Sequence, residues 1–227
     1  MGCCGNILAV RRAILVALSS SCLMGSCNSQ QQQIGGQPSA RLEFRVAARL
    51  GDFSSSELAE MRTWLATDSD GRETERMWRW FALNDPAQWS PHQIDDWDSF
   101  LTEPARHLEE HLGFVADAKD GQCFLLLSAD PQHMLVHDSE DSWSVASVYP
   151  THDITGRPAI GFALDEKGSR RFALLTSRAV GRNLANLIDD KIYSATKVID
   201  PVEDGTSIIS GSFNRTQHRR ILRILRN

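Results

Sequence analysis

Leu42, Phe44 and Val46 alternate with Glu43 and Arg45, and this period of two predicts a β-strand. From Ser54 to Leu112 the hydrophobic spacing lengthens. Leu58, Met61, Trp64 and Leu65, then Met77, Trp78 and Phe81, then Ile94, Trp97 and Leu101 recur at helical intervals. Trp64, Trp78, Trp80, Trp89 and Trp97 all fall in this stretch, and Trp at helical spacing reads as core rather than as a carbohydrate-binding platform. After Gly113 the pattern shortens again. Cys123–Leu127 is a continuous apolar run, Trp143–Tyr149 alternates, and Ala159–Leu164 follows Pro158. Asp165 then caps a helix whose Phe172, Leu175 and Ala179 share a face. Leu184–Ile188 and Ile192–Val198 flank Asp189-Asp190, a tight hairpin, and Ser207–Ser210 makes another short strand. Asn214 with Gln217 three residues on forms a capping pair for a last helix. The pattern predicts an α+β fold, a sheet packed with helices over residues 113–227, preceded by a strand and a Trp-rich helical region over 41–112.

The first 40 residues have a different composition. Arg11 and Arg12 precede the apolar run Ala13–Leu18, small residues follow, and four of the five cysteines (Cys3, Cys4, Cys22 and Cys27) lie here. This is the layout of a secretory signal over residues 1–26. Met24-Gly25-Ser26-Cys27 resembles the bacterial lipoprotein box, in which the cysteine carries lipid such as palmitate; Ser19-Ser20-Ser21-Cys22 is the poorer match. Residues 27–40, rich in Gln and Gly, read as a flexible tether. The expectation is a lipid-anchored protein of the bacterial cell envelope with its domain on the periplasmic side. No run approaches the roughly 20 apolar residues of a spanning helix. Only Cys123 then remains as a free thiol, and no intramolecular disulfide is expected.

Charge separates along the chain. Residues 27–150 hold 9 basic and 21 acidic residues (net −12), whereas 151–227 hold 13 and 8 (net +5). Arg215, Arg219, Arg220, Arg223 and Arg226 lie beside the apolar stripe Ile221, Leu222 and Leu225, so they suit the solvated face and C-terminus of an amphipathic helix. The halves attract one another, which needs no nucleic acid as partner.

His107-Leu108-Glu109-Glu110-His111 fits H-x-x-E-H, in which two histidines one turn apart hold zinc and Glu110 serves as base. A zinc hydrolase is thus the enzymatic alternative. The helix between Pro104 and Gly113 is short and no downstream helix supplies a third ligand; His133, His137 and Glu140 lie in a loop. Cys123, beside an apolar strand, reads as a buried thiol. Asp68-Ser69-Asp70-Gly71 begins like a calcium loop, but its Gly comes two residues early. No cofactor, phosphate loop or nucleophile elbow is indicated.

Residues 153–225 resemble the periplasmic head domain of the protein-export membrane protein SecD. The likeness rests on Thr155-Gly156-Arg157-Pro158, Gly161-Phe162-Ala163-Leu164-Asp165, Gly168 and Phe172-Ala173-Leu174-Leu175-Thr176. It continues through Val180-Gly181-Arg182-Asn183-Leu184-Ala185, Ile188-Asp189-Asp190-Lys191-Ile192-Tyr193-Ser194-Ala195 and Ile209-Ser210-Gly211-Ser212-Phe213. Leu42–Val46 is similar to the strand that opens that domain. These residues are scaffold: Phe162, Leu164 and Phe172 suit a sheet–helix core, Gly181 a helix C-terminus, Gly211 a bulge or close backbone approach. The departures are Ala179-Val180 in place of an Asn before the helix-ending Gly, Asp190 for a hairpin Gly, and Thr196 for a Pro. No stretch resembles the transmembrane bundle with its proton-conducting carboxylates. The resemblance implies a non-catalytic accessory of protein export that binds translocating polypeptide, translocon components or another envelope partner. A cell-wall or carbohydrate-binding envelope module is a further alternative.

Overall fold

A computed structural model describes residues 41–67, 77–89, 97–136 and 142–226. The expected signal (1–26), Cys22, Cys27, the tether (27–40), Asp68–Gly71, Ile94, His137 and Glu140 lie outside the described residues.

The strand expected at the start of the fold is β1 (Leu42–Val46), buried along its whole length. Helix α1 (Ser55–Ala66) starts where Ser54 and Glu57 cap reciprocally: Ser54 Oγ accepts from the Glu57 N–H, and Glu57 Oε2 accepts from the Ser54 N–H at 2.7 Å. The next segment departs from expectation. Met77, Trp78 and Phe81 do not lie on a helix; Trp78–Leu83 is strand β2. From Trp80 to Leu83 it is buried on both faces, and a strand buried on both faces loses the alternation that would reveal it. Helices α2 (Trp97–Thr102) and α3 (Pro104–Leu112) follow, α3 with Pro at its first position and Gly113, φ 67°, ending it.

Strands β3 (Ala116–Lys119), β4 (Gln122–Ser128), β5 (Met134–Leu135), β6 (Val145–His152) and β7 (Pro158–Leu164) lead into helix α4 (Glu166–Arg178). Asp165 caps α4 by accepting from the Gly168 N–H at 2.7 Å. Its carboxyl is partly desolvated, which favours the neutral acid, yet the donors from Gly168 and Ser144 outweigh this and hold its pKa below the usual carboxylate value. Strands β8 (Asn183–Ile188) and β9 (Lys191–Lys197) form the expected hairpin, with Asp189 and Asp190 both left-handed at φ 50° and 62°. Two consecutive left-handed residues define the turn whose twist matches a hairpin, and Asp adopts that conformation more readily than most residues. That accounts for Asp190 where the SecD likeness has Gly. Strand β10 (Thr206–Ile209) and helix α5 (Arg215–Arg226) complete the chain. Asn214 and Gln217 cap α5 reciprocally, at 2.9 and 3.0 Å.

The strands form two sheets. One has the order β3-β4-β2-β9-β8-β1-β5, antiparallel except where β2 meets β9; the other has the order β10-β7-β6. The large sheet therefore takes strands from both sides of residue 112. Alternation along β1 and β8 divides the core. Leu42, Phe44, Val46, Leu184 and Ile188 face the small sheet, α4 and α5, where they meet Phe162, Leu164, Phe172, Ile209, Ile221 and Leu225. Ala47, Ala185 and Leu187 join Phe81, Leu125, Phe100 and Leu108 under α2 and α3. The α1 face, with Met61 and Leu65, closes over Trp80, Val115 and Leu126.

Glu43 and Arg45 do not form the solvated face that their alternation suggests. Both are buried and joined at 3.0 Å, and Arg45 also donates to the Ser128 carbonyl at 3.0 Å and lies 4.8 Å from the Phe81 ring centroid. Burying this pair is tolerable because each charge meets its opposite and hydrogen bonds satisfy the remainder.

Phe44 holds the two sheets together: its ring centroid lies 4.8 Å from that of Phe172, 5.5 Å from Phe162 and 6.1 Å from Trp143. Phe44→Ala is expected to cost about 3–5 kcal/mol in urea unfolding; a loss under 1 kcal/mol would show that this cluster does not join the layers. Two glycines give a paired comparison. Gly156 (φ 80°) and Gly205 (φ 68°) are both left-handed, but a Cβ on Gly156 meets open space whereas one on Gly205 would lie 2.8 Å from the Ser169 Cα in α4. Gly156→Ala should lose about 1–2 kcal/mol and Gly205→Ala distinctly more. Equal losses would contradict the packing of β10 against α4.

Candidate functional site

A groove of about 470 Å³ runs between the two sheets on the side where β9 outruns its neighbour. Strand β9 pairs with β8 along its length but with β2 only at Lys191 and Ile192. The Asn84 N–H reaches the Ile192 carbonyl at 2.9 Å, and Asp85-Pro86 then carries the chain away in a short 3-10 turn. Beyond Ile192, no strand among the described residues pairs with this side of β9. Ser194, Ala195, Thr196 and Lys197 all border the groove. Successive side chains of a strand point to opposite faces, so a groove touched by four in a row runs along the strand's edge. The same holds on the opposite wall, where Ser207 and Ile208 of β10 line it and β10 pairs with β7 alone among the described strands.

The floor is polar and hydrogen-bonded within itself. Asn186 Nδ2 donates to Ser194 Oγ at 2.9 Å, both side chains being buried. Thr176 Oγ1 donates to the Phe172 carbonyl at 2.8 Å and accepts from the Val202 N–H at 2.9 Å, fixing the segment between β9 and β10 to α4. The rim carries exposed isoleucines, Ile154 at 99% accessible, Ile199 at 68% and Ile208 at 37%, interleaved with Asp153, Lys197 and Asp200. Ile154 sits on the β6–β7 turn, which Asp153 builds by accepting from the Thr155 and Arg157 N–H groups at 2.9 and 3.0 Å. Trp89 and Leu112 close the far wall. The groove thus offers strand edges for main-chain hydrogen bonds and isoleucines for apolar side chains. Its described lining holds no His or Cys.

The residues singled out from the sequence divide around this groove. Ser194 and Phe172 line it. Gly156, at φ 80°, shapes the turn that carries Ile154, and Pro158 begins β7 directly after that turn. Phe162, Leu164 and Phe213 are core, Asp165 is the α4 cap, and Gly181, at φ 77°, follows the end of α4. Gly211 is buried in the link between β10 and α5, outside any strand, so it is not a sheet bulge. Ile154, Ile199 and Ile208 were not legible as a set, because they come from three separate segments and share no period.

The two histidines of H-x-x-E-H lie together, but Glu110 does not join them. His107 is buried and packs edge-on against Phe100, with ring centroids 5.6 Å apart, and the His111 ring lies tilted beside it at 4.4 Å. Glu110 is exposed and paired with Arg106 at 3.2 Å, and His133 is paired with Asp130. Among the described residues no three His, Cys, Asp or Glu side chains are grouped to hold a metal ion. The tryptophans whose side chains are described serve as core: Trp80, Trp89 and Trp143 are buried, and Trp64 and Trp78 pack against the α1 cluster.

These elements define an α+β domain of two sheets joined through one aromatic core, with a groove along two strand edges. Residues 128–227 match the family model described as SecDF, P1 head subdomain. The protein translocase subunit SecD of Acidaminococcus fermentans is 35% identical over 75 residues, 33% of this chain and 18% of that protein. SecD of Sebaldella termitidis is 31% identical over 86 residues, 38% and 21% of the two chains. The matches therefore span about a fifth of the length of these curated relatives. A solved membrane component SecDF that enhances protein export aligns with 82% of this chain and 62% of its own, at 16% identity and a TM-score of 0.41. The resemblance read from the residues is borne out: residues 128–227 are similar to the SecDF P1 head subdomain. No helix among the described residues is long and apolar enough to cross a membrane.

Burial, with a smaller contribution from the Asp117 carboxylate, pushes the Cys123 thiol up to about 12. The folded state therefore holds it protonated. The stability linked to that thiol is complete below the unfolded value near 8.5 and declines as pH rises toward 12. At pH 8 iodoacetamide should leave the Cys123 peptide unmodified in folded protein and alkylate it in urea, as read by mass spectrometry. Rapid labelling of the folded protein at pH 8 would contradict the burial of this thiol.

Proposed function

We propose that this chain is a lipid-anchored envelope protein whose SecD-type head binds extended polypeptide on the periplasmic side, as a non-catalytic accessory of protein export. The observation that carries this is the groove bordered by two strand edges. A chain emerging from a translocon is extended and presents its own backbone donors and acceptors. An exposed strand edge pairs with such a chain by main-chain hydrogen bonds, while pockets for alternate side chains set preference. Ile154, Ile199 and Ile208 supply the apolar side of that contact. The similarity of residues 128–227 to the SecDF P1 head supports the placement at export, and translocon components are the natural neighbours. Cys27 is the proposed point of attachment, and palmitate labelling that depends on Cys27 tests the anchor separately from the binding role.

A photo-crosslinking amino acid at Thr196, on the groove wall, should trap secreted precursors in cells. In the Ile199→Asp/Ile208→Asp variant, confirmed as folded by circular dichroism, the yield should fall about ten-fold, since each Ile contributes apolar contact that a carboxylate refuses. Failure to trap any precursor or translocon subunit under conditions in which SecD itself traps them rejects the binding role. An undiminished yield from the double variant would move the site elsewhere on the domain.

A further inference from the structure

Helix α5 has an outer face that is almost entirely arginine. Ile221, Leu222 and Leu225 are buried in the aromatic core, and His218 Nε2 lies 3.0 Å from the Ala159 carbonyl, so the inner face is committed to the fold. The exposed residues of α5 are Arg215, Thr216, Arg219, Arg220, Arg223 and Arg226. At 100° per residue these six cover one continuous arc, five-sixths of it guanidinium. None of the five arginines is paired with a carboxylate among the described residues. Arg226 donates to the Val148 carbonyl and Arg219 to the Arg215 carbonyl, and both remain exposed.

This face is not what helix stability favours. Arg215–Arg219 and Arg219–Arg223 are like-charge pairs one turn apart, which destabilise a helix. Arg215 stands at the N-terminus, where the backbone dipole is already positive. Only Arg223 and Arg226, in the last turn, suit the dipole. Elsewhere helix arginines have carboxylate partners: Arg62 on α1 is paired with Glu109, Arg106 on α3 sits between Glu103 and Glu110, and Arg170 on α4 is paired with Glu166. On α5 the helix itself contains no carboxylate, so any partner charge comes from outside it.

We infer that the arginine face of α5 is a docking surface for an anionic phospholipid bilayer. Twelve helical residues give a flat ribbon about 18 Å long rather than a pocket, which fits a surface of closely spaced headgroups. Guanidinium forms bidentate hydrogen bonds to phosphate. No aromatic side chain interrupts the arc, so base stacking has no platform there. Because the apolar face of α5 is held in the core, nothing inserts between the acyl chains. The attachment is electrostatic, hence salt-sensitive, and it acts independently of a lipid on Cys27.

The test uses the full chain with Cys27→Ser, so that no lipid contributes, and vesicles of phosphatidylcholine with or without 30% phosphatidylglycerol. Binding to the anionic vesicles should exceed binding to neutral ones, and 0.5 M NaCl should remove the difference. Each arginine near such a surface contributes about five-fold, so Arg215→Gln/Arg219→Gln/Arg223→Gln should lower anionic-vesicle binding on the order of 100-fold and leave neutral-vesicle binding unchanged. The corresponding triple Arg→Lys variant should keep most of the preference. Any attachment through residues 1–26 is common to all variants and cancels. Equal binding of the triple Gln variant and the parent chain overturns the inference. So does a result in which the arginines govern only self-association in light scattering, or only retention of an oligonucleotide, with no preference for anionic vesicles.

Discussion

Phe44 is the residue on which the architecture turns. It is one side chain of a strand in the middle of the large sheet, and its ring touches Phe172 of α4, Phe162 of the small sheet and Trp143 ahead of β6. Two sheets from distant parts of one chain have few covalent reasons to stack. A fully buried aromatic that meets all three partners supplies one, because aromatic rings gain both area burial and specific ring geometry. Period two then follows as a constraint: with Phe44 directed at the small sheet, Leu42 and Val46 must point the same way and Glu43 and Arg45 the other. The opposite face lies under α2 and α3, so the two charges are buried and must satisfy each other.

The groove arises from the same stacking. The small sheet lies over β8 and the start of β9, while β2 leaves the large sheet after two paired residues. The last half of β9 is thus left with one neighbour, and β10, outermost in its own sheet, has one as well. Globular proteins ordinarily blunt such edges with charge, proline or a covering element. Here Lys197, Asp153 and Asp200 lie along the groove, but three exposed isoleucines stand among them over a floor in which Asn186, Ser194 and Thr176 are hydrogen-bonded. A floor whose side chains are already hydrogen-bonded, Asn186 to Ser194 and Thr176 to backbone, favours apolar and main-chain contact, which suits a partner that varies in sequence.

Much of this architecture is legible along the chain, and the failures are physically consistent. Caps and turns can be read because they are local: Ser54 with Glu57, Asp165 with Gly168, Asn214 with Gln217 and Asp189-Asp190 each act within four residues. Strands with one buried face can be read because alternation marks them. Trp78–Leu83 is misread as helix because burial on both faces erases the alternation, leaving only aromatic residues that fit either spacing. Glu43 and Arg45 look solvated because charge normally marks a wet face, and the ion pair that buries them is invisible until Ser128 and Phe81 are in place. The H-x-x-E-H spacing promises a zinc site, whereas the tertiary structure turns His107 toward Phe100 and leaves Glu110 to Arg106. Local spacing fixes which side chains share a helix face but not what that face meets.

Helix α5 shows the same limit from the opposite direction. Its amphipathic pattern correctly places Ile221, Leu222 and Leu225 in the core, and the arginines then pass as an ordinary solvated face. Arg106 on α3 and Arg170 on α4 each have a carboxylate three or four residues away, whereas no arginine of α5 does. The apolar face supplies most of the stability of such a helix through packing. The outer face is therefore free to carry repulsion that would unfold an isolated peptide. A fold anchored by its aromatic core can hold a positive surface whose like-charge repulsion is moderated only by solvent and counterions, and such a surface is available to a negatively charged partner.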